Sequence, residues 1–291
     1  MDFRNAQELL TLCEEKGIPI SEAMIQRECE LSEKDRETVC ARMRQVLSIM
    51  RDSIKAPLSE PGRSMGGLIG GESRKIDAHF QQGKDICGPV LNRAIAYSMG
   101  VLEVNASMGL IVAAPTAGSS GVVPGLLFAL ADVYEIPDER LLSGLFHAGA
   151  LGYLAMRNAT VAGAVGGCQA EVGVASAMAA SAAVELMGGS PRQCLDAGSI
   201  VLMNMLGLVC DPVRGLVEYP CQNRNAAGVA NALIAAEISL SGVKQLIPFD
   251  EMLEAMYAVG KRLPAELRET ALGGCATAPS ACASCGACLG G

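Results

Sequence analysis

Tryptophan is absent from the 291 residues, and aromatic residues of all kinds make up only 3% of them. Sheets draw on aromatic and β-branched residues in period-two alternation, and no run here sustains that alternation. Histidine is almost as scarce. His79 and His147 are the only two, too few and too scattered for a histidine-rich zinc or non-haem iron site. Lysine is missing from a whole region: the seven are Lys16, Lys34, Lys55, Lys75, Lys84, Lys244 and Lys261. None falls between 85 and 243, where the chemistry-bearing motifs lie. A pyridoxal-phosphate enzyme needs a Schiff-base lysine inside its site, so the pattern argues against that cofactor. Positive charge is short as well. Lys and Arg total 23 against 31 Asp and Glu, a formal charge of −8, which argues against nucleic acid as a partner. No basic region followed by an apolar run opens the sequence. The apolar stretch 158–187 is mostly Ala, Gly, Ser and Val, with Gln169, Glu171 and Glu185 inside it. It reads as buried helix rather than a membrane span of ~20 apolar residues. A cytoplasmic protein with no membrane segment is expected.

What the chain does have is bulk and small residues. Half of it is hydrophobic, enough to bury a large core. Ser32 is a possible cap for a helix, with Asp35 three positions on, and Val39, Met43, Val46, Leu47, Met50 and Ile54 then recur at helical spacing. Segment 55–73, with Pro57, Pro61 and five glycines, reads as loop. Further helices are expected near 89–103, 122–134, 138–158, 171–187, 191–208, 223–241 and 249–262. Ser190-Pro191 is a start signal and Gly188-Gly189 a stop. The fold class is mainly α with glycine-rich loops. It divides into a helical segment 1–54, a main domain 55–273 and a flexible cysteine-rich tail 274–291.

Twelve cysteines in a chain expected in a reducing cytosol point to metal or thiol chemistry more than to disulfides. Cys13, Cys29, Cys40, Cys87 and Cys194 lie in helical or apolar stretches and read as small buried hydrophobes. Cys168, Cys210 and Cys221 differ, because glycine or proline lies beside or near each: Gly166-Gly167-Cys168, Cys210-Asp211-Pro212 and Pro220-Cys221. Their separations of 42 and 11 residues match no pair of zinc knuckles and suit three loops converging on one centre. Either metal ligation or plain burial fits them. Three thiolates on a [4Fe-4S] cube would leave one iron without a protein ligand, as catalytic zinc sites keep an open position. The tail adds Cys275, Cys282, Cys285 and Cys288. Their Cys-x-x-Cys-x-x-Cys run is part of a ferredoxin pattern without its closing Cys-Pro.

Four polar islands interrupt the apolar half. Ser64-Met65-Gly66-Gly67 and Asn105-Ala106-Ser107-Met108-Gly109 are two. The third, Ala114 to Gly121 with Thr116, Ala117, Gly118, Ser119 and Ser120, leads into an apolar helix. It is either a capped turn or a receptor whose free N–H groups would take a carboxylate; it lacks the Gly-Lys-Ser/Thr ending of a nucleotide loop. The fourth, Pro220 to Asn225, sets Arg224 beside Cys221, either to grip a carboxylate bidentately or to make an internal salt bridge. His147, in Leu145-Phe146-His147-Ala148-Gly149, reads first as a satisfied core histidine.

Taken together, Ser64–Gly67, Asn105–Gly109, Ala114–Gly121, Phe146–Ala150, Gly167–Glu171 and the run from Cys210-Asp211-Pro212-Val213 to Cys221-Gln222-Asn223-Arg224-Asn225-Ala226-Ala227-Gly228 resemble the iron–sulfur L-serine dehydratases. The chain looks like the separate alpha subunit of their two-subunit form. The resemblance implies a helical catalytic domain whose loops gather Cys168, Cys210 and Cys221 around an oxygen-sensitive [4Fe-4S] cluster. It implies L-serine as substrate, pyruvate and ammonia as products, and a separate beta subunit as partner. The open iron would act as Lewis acid. The 64–67 and 114–121 loops, Asn105 and Arg224 would meet the substrate, and His147 is a candidate base or orienter. The Ser-His-Thr motif of single-chain members is absent here. Four tail cysteines, instead of one, leave open which would reach the fourth iron. The alternatives are the same dehydration of threonine or another β-hydroxy acid, and a non-catalytic iron–sulfur electron-transfer or scaffold subunit.

Overall fold

A computed structural model describes residues 2–284, which fold as packed helices; Cys285 and Cys288 lie outside the described residues. The helices are α1 (Ala6–Lys16), α2 (Ile20–Ser32), α3 (Arg36–Ser59), α4 (Glu72–Gln81), α5 (Gly88–Ala106), α6 (Val122–Tyr134), α7 (Asp138–Asn158), α8 (Gly163–Gly166), α9 (Val174–Leu186), α10 (Pro191–Asn204), α11 (Cys221–Leu240), α12 (Phe249–Arg262) and α13 (Pro279–Ser284). Among the described residues the sole β-bridge pairs Cys210 with Arg268. The mainly α expectation holds.

Two local expectations need correction. The helix expected to start at Ser32 is capped by Asp35, whose carboxylate accepts from Thr38 N at 2.7 Å. Ser32 instead ends α2, its hydroxyl folded back onto Glu28 O. The loop expected from residue 55 begins only after Ser59, because α3 runs on through Pro57. At Ser190 the expectation is met in full: a capping box with Gln193 starts α10.

The core is organised around α9, which packs against α6, α7, α10 and α11. Its sequence VASAMAASAAVEL is buried on every side except at Glu185. Such short side chains leave no amphipathic stripe, and they let neighbouring backbones come close. Glycines on the partners complete the approach. A Cβ on Gly228 of α11 would lie 2.7 Å from Ser176 Oγ, and one on Gly125 of α6 would lie 2.8 Å from Ser98 Cβ of α5. The N-terminal helices join the same core through Phe3, Leu9, Leu10, Ile20, Leu47 and Ile54. The apolar stretch 117–134 is long enough to cross a bilayer by length and composition, but it is mostly buried here as a core helix. Of the cysteines expected to be buried, Cys13, Cys40 and Cys194 are; Cys29 is half-buried and Cys87 is exposed. Cys87 departs because it sits at the N-cap of α5, ahead of Gly88 at φ +69°, where no packing face has yet begun.

The close packing predicts opposite outcomes for two glycine-to-alanine changes. Gly125→Ala overpacks the α5–α6 contact and lowers unfolding free energy by about 1–3 kcal/mol. Gly149→Ala in α7, where a Cβ meets nothing within 4 Å, raises it by up to about 1 kcal/mol through helix propensity. Urea unfolding of the two variants against the parent checks both signs.

Candidate active site

The three loop cysteines meet where α11 begins. Cys221 is its first residue, Cys210 lies on the extended segment paired with Arg268, and Cys168 sits between α8 and a π-helical turn, Gln169–Gly173. π-Turns concentrate at functional sites because the extra residue re-aims side chains. Gly167 makes the entry to Cys168 possible. It has φ +75°, and a Cβ there would lie 2.6 Å from Leu263 Cδ1 and 2.8 Å from Leu208 O. Gln169 then fixes the turn. Its amide nitrogen donates to Gly166 O and Met256 O, and its oxygen accepts from Gly207 N.

The cysteines communicate electrically. A hydrogen bond from Cys210, together with the nearby Arg224 guanidinium, pulls the Cys168 thiol below its ordinary value against the cost of burial. The same bond, with burial, pushes Cys210 up. Burial raises Cys221 to about 12, with the charge of Cys168 adding to the shift. Three soft sulfur donors close enough to shift one another's titration, with a guanidinium beside them, fit a group held by three thiolates.

Side chains around the start of α11 tie the surrounding loops to this centre. Asn225, fully buried, accepts from Gly121 N at 3.1 Å and donates to Gly118 O at 2.8 Å, fixing the 116–121 turn. Arg224 donates to Val209 O at 2.7 Å and forms a 2.6 Å ion pair with Asp211, fixing the Cys210 segment. Gln222 donates to Met99 O and to the buried Glu103 of α5. Glu218, three residues ahead of Cys221, holds the 64–68 loop with bonds from Ser64 Oγ, Gly66 N and Leu68 N. Asp211 reaches the tail, accepting from Cys275 N at 2.6 Å. Residue 274 must be glycine for that approach, since it has φ +60° and a Cβ there would meet Asp211.

Two carboxylates, Glu171 and Glu269, border Cys210. Glu171 accepts a hydrogen bond from Thr116 Oγ1. The Cβ position of Gly163 lies 3.0 Å from both Glu171 Oε2 and Cys210 Sγ, and 3.4 Å from Glu269 Oε2. Burial pushes the Glu171 carboxyl up, and the charge of Glu269 adds to this while Thr116 opposes it.

The residues singled out in the sequence fall into three groups. Thr116, Ala117, Gly118, Ser119 and Ser120 lie at the site, with Thr116 and Ser119 hydroxyls 3.0 Å apart. Ser64, Met65, Gly66 and Gly67 flank it, but their loop is closed on Glu218, and Met65 is exposed. Asn105 ends α5 behind that loop, where Met65 N donates to Ala106 O. Arg224 touches the site with its guanidinium engaged by Asp211 and Val209 O, the internal salt bridge that the sequence offered as an alternative. His147 is elsewhere. Its ring bonds Glu185 and Ser181 at 2.7 Å each, near the far end of α9, roughly 15 Å along the axis from the thiols. His147, a candidate base or orienter from the sequence, is buried among α7, α9 and α10 with these partners. With Glu185 and Cys194 it forms a separate group whose ligand atoms lie within 4.8 Å of one another. In the tail, 274–284 form a turn and the short α13, with Cys275 beside Asp211 and Cys282 near Ala276 O. A cleft of about 670 Å³ between α2, α3 and α7 lies on the far side of Pro115, away from the thiols.

Sequence reasoning missed Glu171, Asp211 and Glu218 as site residues. The signal was present for one of them: Glu171 is among the few charges in an otherwise apolar stretch.

The family profile described as serine dehydratase alpha chain matches residues 15–276. A probable L-serine dehydratase alpha chain of Bacillus subtilis (strain 168) is 48% identical over 278 residues, covering 96% of this chain and 92% of the relative. The L-serine dehydratase alpha chain of Peptoniphilus asaccharolyticus is 44% identical over 274 residues, covering 94% of each. An L-serine dehydratase of Escherichia coli (strain K12) is 36% identical over 282 residues, 94% of this chain but 62% of that longer protein.

The position of His147 predicts a stability phenotype without a catalytic one. His147→Ala leaves the half-buried Glu185 with Ser21 as its remaining donor and costs about 1–3 kcal/mol of unfolding free energy. Thermal and urea denaturation read that loss, while turnover per loaded site stays within about twofold of the parent.

Proposed function

Because the chain belongs to the serine dehydratase alpha-chain family, we propose that it is the catalytic chain of an L-serine dehydratase, working with a separate beta chain in the cytoplasm. The observation that carries the reading is the meeting of Cys168, Cys210 and Cys221 with the 116–121 turn and Glu171 at the start of α11. Those three cysteines would hold a [4Fe-4S] cluster. When bound, that cluster supplies a Lewis-acidic iron that makes the β-hydroxyl of serine a viable leaving group.

The chain's own residues supply the rest. The first N–H groups of the 117–119 turn have no partner within that helix and would receive the substrate carboxylate. Asn225 holds the turn rigid, so these donors need no reorganisation as charge builds on the carboxylate. Glu171, drawn against Thr116 and facing the thiols, accepts the α-proton on a carboxylate oxygen. Loss of the α-proton and of the β-hydroxyl leaves the enamine. Its tautomer is hydrolysed to pyruvate and ammonia, returning the water that was lost. Small-residue walls discriminate poorly against one methyl, worth about 1–3 kcal/mol in an apolar pocket. Threonine is therefore the natural second substrate to assay. Of the described tail cysteines, Cys275, whose backbone N–H donates to Asp211, and Cys282 would be candidates to close the open position between turnovers.

Anaerobic reconstitution with iron and sulfide, followed by assay with serine with and without the beta chain, tests this reading. Cys168→Ala, Cys210→Ala and Cys221→Ala each lose the brown chromophore and the activity. Cys40→Ala keeps both, and pyridoxal phosphate changes nothing. A full-strength chromophore in any of the first three removes that residue from the ligand set. Activity that survives air and iron chelation overturns the mechanism.

A further inference from the structure

The Ser64–Leu68 loop has the shape of a carboxylate receptor, and it is already full. Glu218 is buried, at 3% exposure, so its carboxylate must be satisfied by protein donors. It accepts from Ser64 Oγ at 2.7 Å, Gly66 N at 2.6 Å and Leu68 N at 2.9 Å. The other amides of the loop are engaged too. Ser64 N donates to Ile69 O, Met65 N to Ala106 O, Gly67 N to Ser64 O, and Ile69 N to Ser64 Oγ. From residue 64 to residue 69 no backbone N–H is left for a substrate. Gly66 shows how tight the fit is: a Cβ there would lie 2.4 Å from Leu216 Cδ1 and 2.7 Å from Glu218 Oε1.

The backbone of the same residue serves the cysteine centre. Glu218 O accepts from Gln222 N at 2.9 Å, opening α11 one residue past Cys221, and Val213 N donates to Tyr219 O, closing the segment that leads there. Arg214, in the left-handed region at φ +60°, adds a second link by donating to Gly66 O at 3.2 Å. We infer that Glu218 is a positioning residue: its carboxylate is a built-in ligand that holds the Ser64–Leu68 loop and the turn carrying Cys221 in one fixed relation. It leaves no amide of the 64–69 loop for a substrate carboxylate. The second half of this inference rests on the serine dehydratase reading; the first half does not.

The two halves separate in the test. Arg63 is exposed and precedes the loop, so trypsin cleavage at Arg63–Ser64, followed by peptide mass mapping, reports whether the loop is held without needing cluster or substrate. In Glu218→Ala, cleavage at that bond rises about tenfold, because the local opening that exposes it is no longer opposed. Glu218→Gln lies between the parent and Glu218→Ala, since its single amide oxygen can accept from only one side of the loop and its NH2, a donor, leaves either Gly66 N or Leu68 N without an acceptor. Ser64→Ala, which removes one donor and keeps the carboxylate, also lies between the parent and Glu218→Ala and serves if Glu218→Ala does not fold. On the enzyme reconstituted with a candidate beta chain, kcat/KM for serine falls in Glu218→Ala and is partly recovered in Glu218→Gln. Unchanged cleavage in both Glu218→Ala and Ser64→Ala overturns the tether. Equal impairment of Glu218→Gln and Glu218→Ala, or a kcat/KM indifferent to both, overturns the positioning role.

Discussion

A helix N-terminus carries amide donors that its own turns cannot satisfy, and a buried one must find partners for every polar group around it. At the start of α11 the structure meets that demand in an unusual direction. Glu218, Gln222, Arg224 and Asn225 each send a side chain to a different segment: the 64–68 loop, α5, the Cys210 segment and the 116–121 turn. The hydrogen bonds that keep these buried groups satisfied are therefore the same ones that bring the loops around Cys221. A buried polar group left without its partner costs about 1–3 kcal/mol, so no single loop can move away cheaply. The shape of the cysteine centre follows from that constraint.

Charge is arranged with equal economy. Two small-residue loops that look like anion receptors each face an acid of the protein itself: Glu218 in one, Glu171 against the other. They are not equivalent. Glu218 is sealed by three donors inside a loop with no spare amide, whereas Glu171 is gripped by one hydroxyl and borders Cys210 and Glu269. The first behaves as structure and the second as a group that can take part in chemistry. Arg224 balances this negative neighbourhood, standing between Asp211 and Cys168. Asp211 in turn holds the tail at Cys275, so the position of the tail is linked to the guanidinium beside the thiols.

Much of this was legible in the sequence because it depends on local signals. Glycine and proline around Cys168, Cys210 and Cys221 marked loops, and those loops do converge. The helix limits near 122–134, 138–158 and 249–262 match α6, α7 and α12 because caps and breakers set them. Where tertiary packing decided, the sequence was silent or misleading. Ser32 and Asp35 are both good caps, and only the chain's path shows that Asp35 is used. Pro57 looked like a break, but α3 accommodates it in its last turn. His147 is the kind of residue that tunes near neutral pH, yet the register of α7 against α9 points it at Glu185 and Ser181. Glu218 gave no pattern, since its partner Ser64 lies 154 residues away, and the sequence did not show that Asp211, beside Cys210, would reach Cys275, 64 residues on.

The central claim is that α11 gathers three thiols around one metal group that keeps a position open for substrate. Mössbauer spectroscopy of the chain reconstituted anaerobically with ⁵⁷Fe and sulfide, together with its beta chain, tests it most directly. The account predicts a [4Fe-4S] signal in which one iron of the four changes its parameters when L-serine is added, while the other three stay as they were. Four irons that are alike and indifferent to serine would contradict it.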